Sequence, residues 1–513
     1  MIFRSGKIKS GNKEIKVPIH NNKFIYKDVE VRINNDGAVY IIACDTPVEY
    51  IYLETDFIDT ADLLVLGDAW ERGYGDLEWK KTDFSRTMPW YFAVYDGVKT
   101  YCFGVKTSPN SFCAWHCGNG KIAVRIDVRN GSEDIYLRGR KLKACTVISK
   151  VYEYESFDAL CDFCQLMCDN PRYSNQPIFG GNDWYCNYGD SSRKKILDMT
   201  KKIVECSPKN IPYKPYMVID DGWEILHCRK SEDQMQYNGG PWKQSNSLFG
   251  DMKSLAMEIE KLGAVPGIWI RPLLTKEKVP DECVLRKNAD EITLDPSSEI
   301  TLNIVKEDMK RLKQWGYRLI KHDFSTFDIF EKWGFEMEET SKYNLSFYDK
   351  TKTTAEIIKN FYRAIREGAG DEVLIMGCNT FSHLSAGIFD IQRTGDDTSG
   401  IDWERVKKYG TNTLAFRIVQ HKAFYQADAD CIGITKEMPW EANRHWLDVL
   451  SKSSTPLFVS IEDDAYTDEV KEEISRAFET TVKAHNRSYP VDWQITPTPK
   501  CWKSDFGIDC YEW

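Results

Sequence analysis

Three short stretches of this chain place acids and bases together where an apolar run ends. At 219–223, Ile-Asp-Asp-Gly-Trp, the carboxylates of Asp220 and Asp221 meet a Gly-Trp turn. They either cap that turn or accept hydrogen bonds from a hydroxyl-rich ligand, with Trp223 as a wall. At 319–324, Leu-Ile-Lys-His-Asp-Phe, Lys321 and Asp323 are two residues apart, so on a strand they share a face. Lys321 would then hold Asp323 ionised and aimed, as a carboxylate nucleophile requires; the alternative is a salt bridge on a rim. At 390–398, Asp-Ile-Gln-Arg-Thr-Gly-Asp-Asp-Thr, Arg393 precedes Asp396 and Asp397 in a pattern that ordinary turns also use.

Spacing joins the three. Asp323 and Asp397 lie 74 residues apart, and Asp220 and Asp323 lie 103 apart with an insertion at 227–248 between them. A βα unit of a barrel averages about 31 residues, so each interval is close to two units. The acids can then stand on alternate strands around one mouth, at the strand ends where barrel enzymes place their chemistry. Two carboxylates facing one cleft are the equipment of glycoside hydrolysis, one as nucleophile and one as proton donor.

The elements that must position them follow from periodicity. Residues 1 to about 170 carry short alternating runs (14–18, 29–33, 38–42, 122–128) between Asn- and Gly-containing turn signals, which predicts a sandwich of hairpins closed by a helix at 156–168. From about 178 apolar runs alternate with amphipathic ones. The predicted strands are 177–184, 216–220, 264–271, 317–323, 373–378, 388–393, 423–427 and 456–460. The predicted helices between them include 192–205, 251–262, 304–315, 354–367, 403–408 and 440–452. Eight such units suit a (β/α)8 TIM barrel. The domain reading is an N-terminal β-sandwich with linker helix at 1–172, the barrel at 173–480, and a short C-terminal β segment at 481–513.

Composition narrows the partners. The chain has 513 residues and a net charge of −10, which argues against nucleic acid and anionic lipid. No run approaches a membrane span and no secretory leader is evident, so the expected location is cytoplasmic, with the 16 cysteines reduced. Cys161, Cys164 and Cys168 read as one apolar helix face rather than a zinc site. Aromatic residues reach 13%, including 16 Trp, a supply that serves a core or a cleft stacking on the C–H faces of sugars.

The ordered set IDDGW, GIWIRP, IKHDF, GCN and RTGDD resembles glycoside hydrolase family 36, the α-galactosidase and raffinose-synthase group of the melibiase superfamily (clan D). The resemblance covers about 179–460, and the β-rich region before it fits that family's layout of sandwich, barrel and short β tail. It implies a retaining α-galactosidase with Asp323 as nucleophile and Asp397, four residues after Arg393, as acid/base rather than Asp396. It further implies that Asp220 and Asp221 bind the galactose 4- and 6-hydroxyls, that Lys321 and Arg393 bind the sugar, and that Trp184 and Trp269 line its site. Family members often reach into the site with a Trp from the sandwich; Trp70, with Asp68 and Arg72 beside it, is the candidate, against a decorated surface loop.

This chain departs from the family pattern at Gly181, which replaces the first strand-one Trp, at His322, and at GCNTFSHL after strand five. That last segment lies near the sugar 2-position, so Cys378, Asn379 and Thr380 leave galactose and N-acetylgalactosamine both open. Transfer to another sugar, as in raffinose synthases, is a further alternative. A non-catalytic sugar-binding barrel is opposed by the presence of both acids. No cofactor is expected, and a metal-dependent hydrolase is disfavoured because no His pair or His/Asp cluster shows ligand spacing.

Overall fold

The structure is a computed structural model that describes residues 2–57, 63–228, 236–339 and 343–513. Two antiparallel sheets occupy the N-terminal region. A six-stranded sheet includes Tyr50–Asp56, Phe112–Gly118 and Lys121–Asp127; an eight-stranded sheet includes Ala38–Ile42, Tyr91–Tyr95, Thr100–Val105 and Lys141–Tyr152. Aromatics bridge the two: Phe92 and Phe103 of one approach Trp115 of the other at 5.6 and 6.4 Å. The Ser156–Met167 helix follows, with Cys161 and Cys164 buried on the face that also carries Phe157 and Leu160.

The second unit is a curled, nine-stranded parallel sheet of TIM-like form. Its ladder runs Gln426–Asp428, Ile391–Arg393, Leu374–Gly377, Leu319–His322, Val265–Ile270, Tyr216–Ile219, Phe179–Asn182, Leu457–Ile461, Cys431–Ile434. The two end strands are consecutive in the chain, separated only by Ala429 and Asp430, so the ladder returns to where it began. Strand alternation sorts its side chains. Ile178, Tyr185, Val218, Leu319, Met376, Ile391, Cys431 and Phe458 form a separate apolar cluster. The opposite faces merge with the helices into the main core. Each strand tip therefore opens on the same end, just beyond a packed plug.

The helices obey local chemistry. Thr353 caps Thr354–Ala369 and Glu356 returns the bond to the cap's N–H, while Asp251 and Thr467 accept from the first turns of Met252–Leu262 and Asp468–Lys483. Three features differ from the periodicity reading. The 403–408 segment is a short α turn running into a π-helical stretch, Val406–Asn412. The Asp468–Lys483 helix was not anticipated, although its apolar residues Val470, Ile474, Ala477 and Phe478 recur at helical spacing. A three-stranded sheet of Leu274–Thr275, Val284–Asn288 and Glu291–Leu294 projects between barrel strands.

The cysteine expectation needs one correction. Cys501 and Cys510 face each other across the C-terminal hairpin with Cα atoms 4.1 Å apart and are joined as a disulfide. Register pairing brings the two thiols together, which spacing alone does not reveal. Among the described residues, no helix is long and apolar enough to cross a membrane.

Candidate active site

The strand ends deliver the acids and bases named from sequence. Tyr216–Ile219 leads into Asp220 and Asp221, Leu319–His322 carries Lys321 and leads into Asp323, Leu374–Gly377 leads into Cys378, and Ile391–Arg393 ends on Arg393 before the loop with Asp396 and Asp397. Alternation sends Lys321 inward and His322 outward. His322 lies among Phe361, Tyr362 and Phe389, with neither ring nitrogen hydrogen-bonded, and burial pushes its pKa down to about 3. It is a neutral core ring, not a member of the site. Gly181 likewise faces away: a Cβ there would meet Ile203 and Met199 of the packing helix.

Asp323 is half-buried. Its Oδ2 accepts the indole Nε1–H of Trp269 at 3.2 Å, and its Oδ1 accepts the N–H of Phe324 at 2.7 Å. Phe324 adopts φ 62°, a left-handed conformation uncommon for a bulky residue, and this turn folds its own N–H back onto the carboxylate. The expected Lys321–Asp323 pair is not the one formed. Lys321 Nζ sits 2.7 Å from Asp220 Oδ2. Its long stem crosses the mouth to a carboxylate two strands away, past Trp269, its own register partner. Burial is the largest single effect and lowers the lysine pKa, but the negative groups around it, Asp220 first, together outweigh it, and the net direction is upward, so the ammonium stays charged.

Asp220 is the most tightly held acid. Its Oδ2 also accepts from Asn182 Nδ2 at 2.6 Å, its Oδ1 from the Asp221 N–H at 2.9 Å, and its own N–H donates to Asp183 Oδ1 at 2.8 Å. Burial pushes Asp183 up to about 6. Asp221 turns toward a second network. Its Oδ2 accepts from Asn238 at 2.9 Å; Asn238 accepts from Arg271 at 2.6 Å; Arg271 is anchored on Asp328.

On its other side Asp221 Oδ1 lies 3.5 Å from His227 Nδ1, which is 2.7 Å from Glu224 Oε1. These three residues have ligand atoms within 4.8 Å of one another. That corrects the expectation that no His/Asp cluster has ligand spacing, because the turn after Gly222 brings i, i+3 and i+6 together. Burial lowers the His227 pKa, but Asp221 and Glu224 raise it to about 10. His227 Nδ1 is hydrogen-bonded to Glu224 Oε1, so the three side chains form one buried hydrogen-bonded cluster.

Trp223 is not a wall of the site. Gly222 takes φ 124°, and a Cβ there would strike the Gly189 carbonyl at 2.7 Å. The chain turns behind the strand, leaving Trp223 fully buried between Trp242 and Trp315, where its Nε1 donates to the Trp269 carbonyl at 2.9 Å. It supports the indole that holds Asp323.

Arg393 organises the acid loop. It pairs with Asp430 at 2.6 Å and Asp397 at 3.1 Å, and donates to Cys378 Sγ at 3.3 Å. The two candidate acids differ in setting. Asp396 is bound to Arg72 at 2.6 Å and its side chain is 20% exposed; Asp397 is 42% exposed and 3.7 Å from Arg72. Burial raises the Asp397 pKa, but Arg393, then Arg72, Lys321 and Arg405, pull it below the usual carboxylate range. Cys378 is fully buried and feels Arg393, Asp323, Lys321 and Arg72 together, which marks it as the place where the strand ends converge.

Trp184 is partly exposed and meets Tyr188 edge-on at 5.6 Å, and Tyr188 OH accepts from Gly400 just beyond the acid loop. Asn379 is fully buried: its amide donates to Glu71 at 2.9 Å, and its Oδ1 accepts from Phe327 N–H at 3.2 Å. It ties the helix after Asp323 to the N-terminal region. Trp70 is corrected: its ring packs on Trp90 at 5.3 Å and Phe112 at 5.7 Å, while Arg72, two residues on, reaches the acid loop. Sequence reasoning also missed Asn182, Asp183, Glu71, Asp428, Asp430 and the half-buried Trp333, over which Arg72 lies at 5.5 Å. Only the adjacency of Glu71 and Arg72 in a Trp-rich loop signalled them.

No protein-family model matches the chain. Solved structures do. The α-galactosidase TtGalA of Thermus thermophilus, solved with p-nitrophenyl α-D-galactopyranoside, aligns with a TM-score of 0.62 at 15% identity over 98% of both chains. The galactosidase domain of the α-galactosidase–sucrose kinase AgaSK aligns at 0.60 and 14% over 98% of this chain and 75% of that one. The family 36 α-galactosidase AgaA of Geobacillus stearothermophilus aligns at 0.58 and 13% over 94% and 74%. The chain has the fold of the glycoside hydrolase family 36 α-galactosidases.

Proposed function

We propose that the chain is a retaining exo-glycoside hydrolase that removes terminal α-linked galactose, with Asp323 as nucleophile and Asp397 as acid/base. The observation that carries this reading is that the two arginines beside Asp397, Arg393 and Arg72, also meet Cys378 Sγ at 3.3 and 3.8 Å, on the strand end next to the one that leads into Asp323, within an α-galactosidase fold. The parallel ladder is read as an eight-stranded (β/α)8 barrel whose seventh strand is broken at Ala429–Asp430. The domains proposed are 1–172, 173–480 and 481–513, with the barrel boundary moved three residues on, to the end of the Asp468–Lys483 helix.

Asp323 would attack the anomeric carbon as the glycosidic C–O bond breaks and Asp397 gives its proton to the leaving oxygen. Asp397 then takes a proton from water, whose oxygen displaces Asp323 from the same carbon. Such retention needs carboxyls about 5–5.5 Å apart. Trp269 and the Phe324 N–H keep Asp323 oriented by donating to both of its oxygens. Asp220 and Asp221 would accept from the 4- and 6-hydroxyls, with Lys321, Arg393 and Trp184 around the ring. TtGalA was also solved with stachyose, and oligosaccharides ending in α-galactose are the expected natural substrates here.

The test is hydrolysis of nitrophenyl α-galactoside beside its N-acetylgalactosaminide, with the first-released anomer read by NMR. α-Galactose is expected. Asp323→Ala should abolish turnover. Asp397→Ala should lose least on good leaving groups and, with azide, be rescued by forming the α-galactosyl azide. If Asp396→Ala behaves that way instead, the acid/base assignment is off by one residue; a β-configured first product would overturn retention.

A further inference from the structure

The loop from Glu71 to Gly73 belongs to the N-terminal sheets, yet each of its three residues bonds to a barrel loop that serves the site. Glu71 is fully buried and accepts from Asn379 Nδ2 at 2.9 Å and Gly334 N–H at 3.0 Å, on the side of Asp323. Gly73 forms a parallel bridge with Gly395: its N–H donates to the Thr394 carbonyl at 2.7 Å, and the Asp396 N–H donates to the Gly73 carbonyl at 3.0 Å. Between them Arg72, buried, contacts Asp396 at 2.6 Å, Asp397 at 3.7 Å and Cys378 Sγ at 3.8 Å.

This arrangement sorts two adjacent acids. A guanidinium offers two edges. One edge is committed to Asp396 and the other stands near Asp397. The bridge at Gly73 fixes the loop backbone between Thr394 and Asp396, so neither acid can change places with the other. We propose that Arg72 is a positioning residue of the reaction: it retains Asp396 as its counter-ion, presents Asp397 to the leaving group and sets how readily Asp397 carries the proton. The N-terminal sheets are then part of the catalytic apparatus. The proposal rests on Asp397 being the acid/base.

The groups acting on Asp397 are Arg393, Arg72, Lys321 and Arg405, with Asp396 as chain neighbour and Tyr185 nearby. Of the cations, Arg393 is shared with Asp430 and Lys321 is committed to Asp220. Arg72 and Arg405 stand off the strands of the barrel and both meet Asp396, Arg72 at 2.6 Å and Arg405 at 3.8 Å, so Arg72 is the closer partner.

Two variants with opposite signs test it. Arg72→Met removes a cation beside Asp397, so the acid should titrate at higher pH. Asp396→Asn removes an anion and frees Arg72 for Asp397, so the acid should titrate at lower pH. The readouts are the alkaline limb of kcat/KM and, independently of activity, the carboxyl titration of Asp397 by NMR with 13C-labelled aspartate, assigned with Asp397→Asn. Arg72→Met should also lose 10- to 100-fold on an alkyl galactoside and less than threefold on a dinitrophenyl one, since only the former needs the proton. Arg72→Lys should restore the limb in part. Movement of both titrations in the same direction, or none, overturns the proposal, as does an equal loss on both substrates. If the NMR midpoints move oppositely but no α-galactoside is cleaved, the positioning role stands and the functional reading fails.

Discussion

Lys321→Met tests the reassignment of the central cation. Lys321 and Asp220 are both nearly fully buried and 2.7 Å apart. Removing one partner of a buried pair costs about 3–5 kcal/mol, because the other charge stays uncompensated. Asp220 would keep Asn182 and the Asp221 N–H, so the lower half of that range is expected. At roughly 2.1 cal/mol/K per residue, unfolding roughly 300 barrel residues carries about 0.6 kcal/mol/K, so the melting temperature should fall by about 5–7 °C. Adding Asp220→Asn should recover most of the loss, with a coupling of about 2 kcal/mol or more, whereas the cycle with Asp323 should give much less. The sign with pH is definite. The net direction of the lysine pKa is upward, so the pair's contribution is complete below the ordinary lysine range and persists above it; the drop should be the same at pH 6 and pH 9. Calorimetry of the six proteins of the two cycles decides it. A coupling with Asp323 equal to or larger than that with Asp220 would refute the pairing and restore the sequence-based view.

Two further outcomes follow from the same geometry. Trp269→Phe keeps an aromatic ring but removes the 3.2 Å hydrogen bond to Asp323, so kcat on a nitrophenyl galactoside should fall about tenfold, the equivalent of about 1.5 kcal/mol for a bond to a charged acceptor; an unchanged kcat would remove Trp269 from the nucleophile's support. His227 has its pKa raised to about 10, so its stabilising charge is fully present below about pH 6.5 and is lost as pH rises toward 10. His227→Gln should therefore be less stable than the parent at pH 6 and should lose less stability between pH 7 and 10, as followed by thermal melting; parallel curves would show that the imidazolium network contributes nothing.

Local chemistry made much of this protein legible before any coordinates. Apolar runs of strand length alternating with helical periods marked the parallel unit, and the motif order placed Asp220, Asp323, Arg393 and Asp397 at strand ends, because burial on both faces forces continuous apolar strands that stop where polar work begins. Tertiary structure decided the partners. Periodicity states which face a side chain leaves from but not how far a long one reaches, so Lys321 could be placed inward while its partner, two strands over, could not. It also could not show that one glycine φ would hide Trp223, or that register would join Cys501 to Cys510. Above all, contacts between residues separated by more than 300 positions, Glu71 to Asn379 and Arg72 to Asp396 and Asp397, have no local signature. They exist only because the 71–73 loop meets the loops after two strands of the parallel sheet, and a contact between residues so far apart in the chain is set by tertiary packing, not by local sequence.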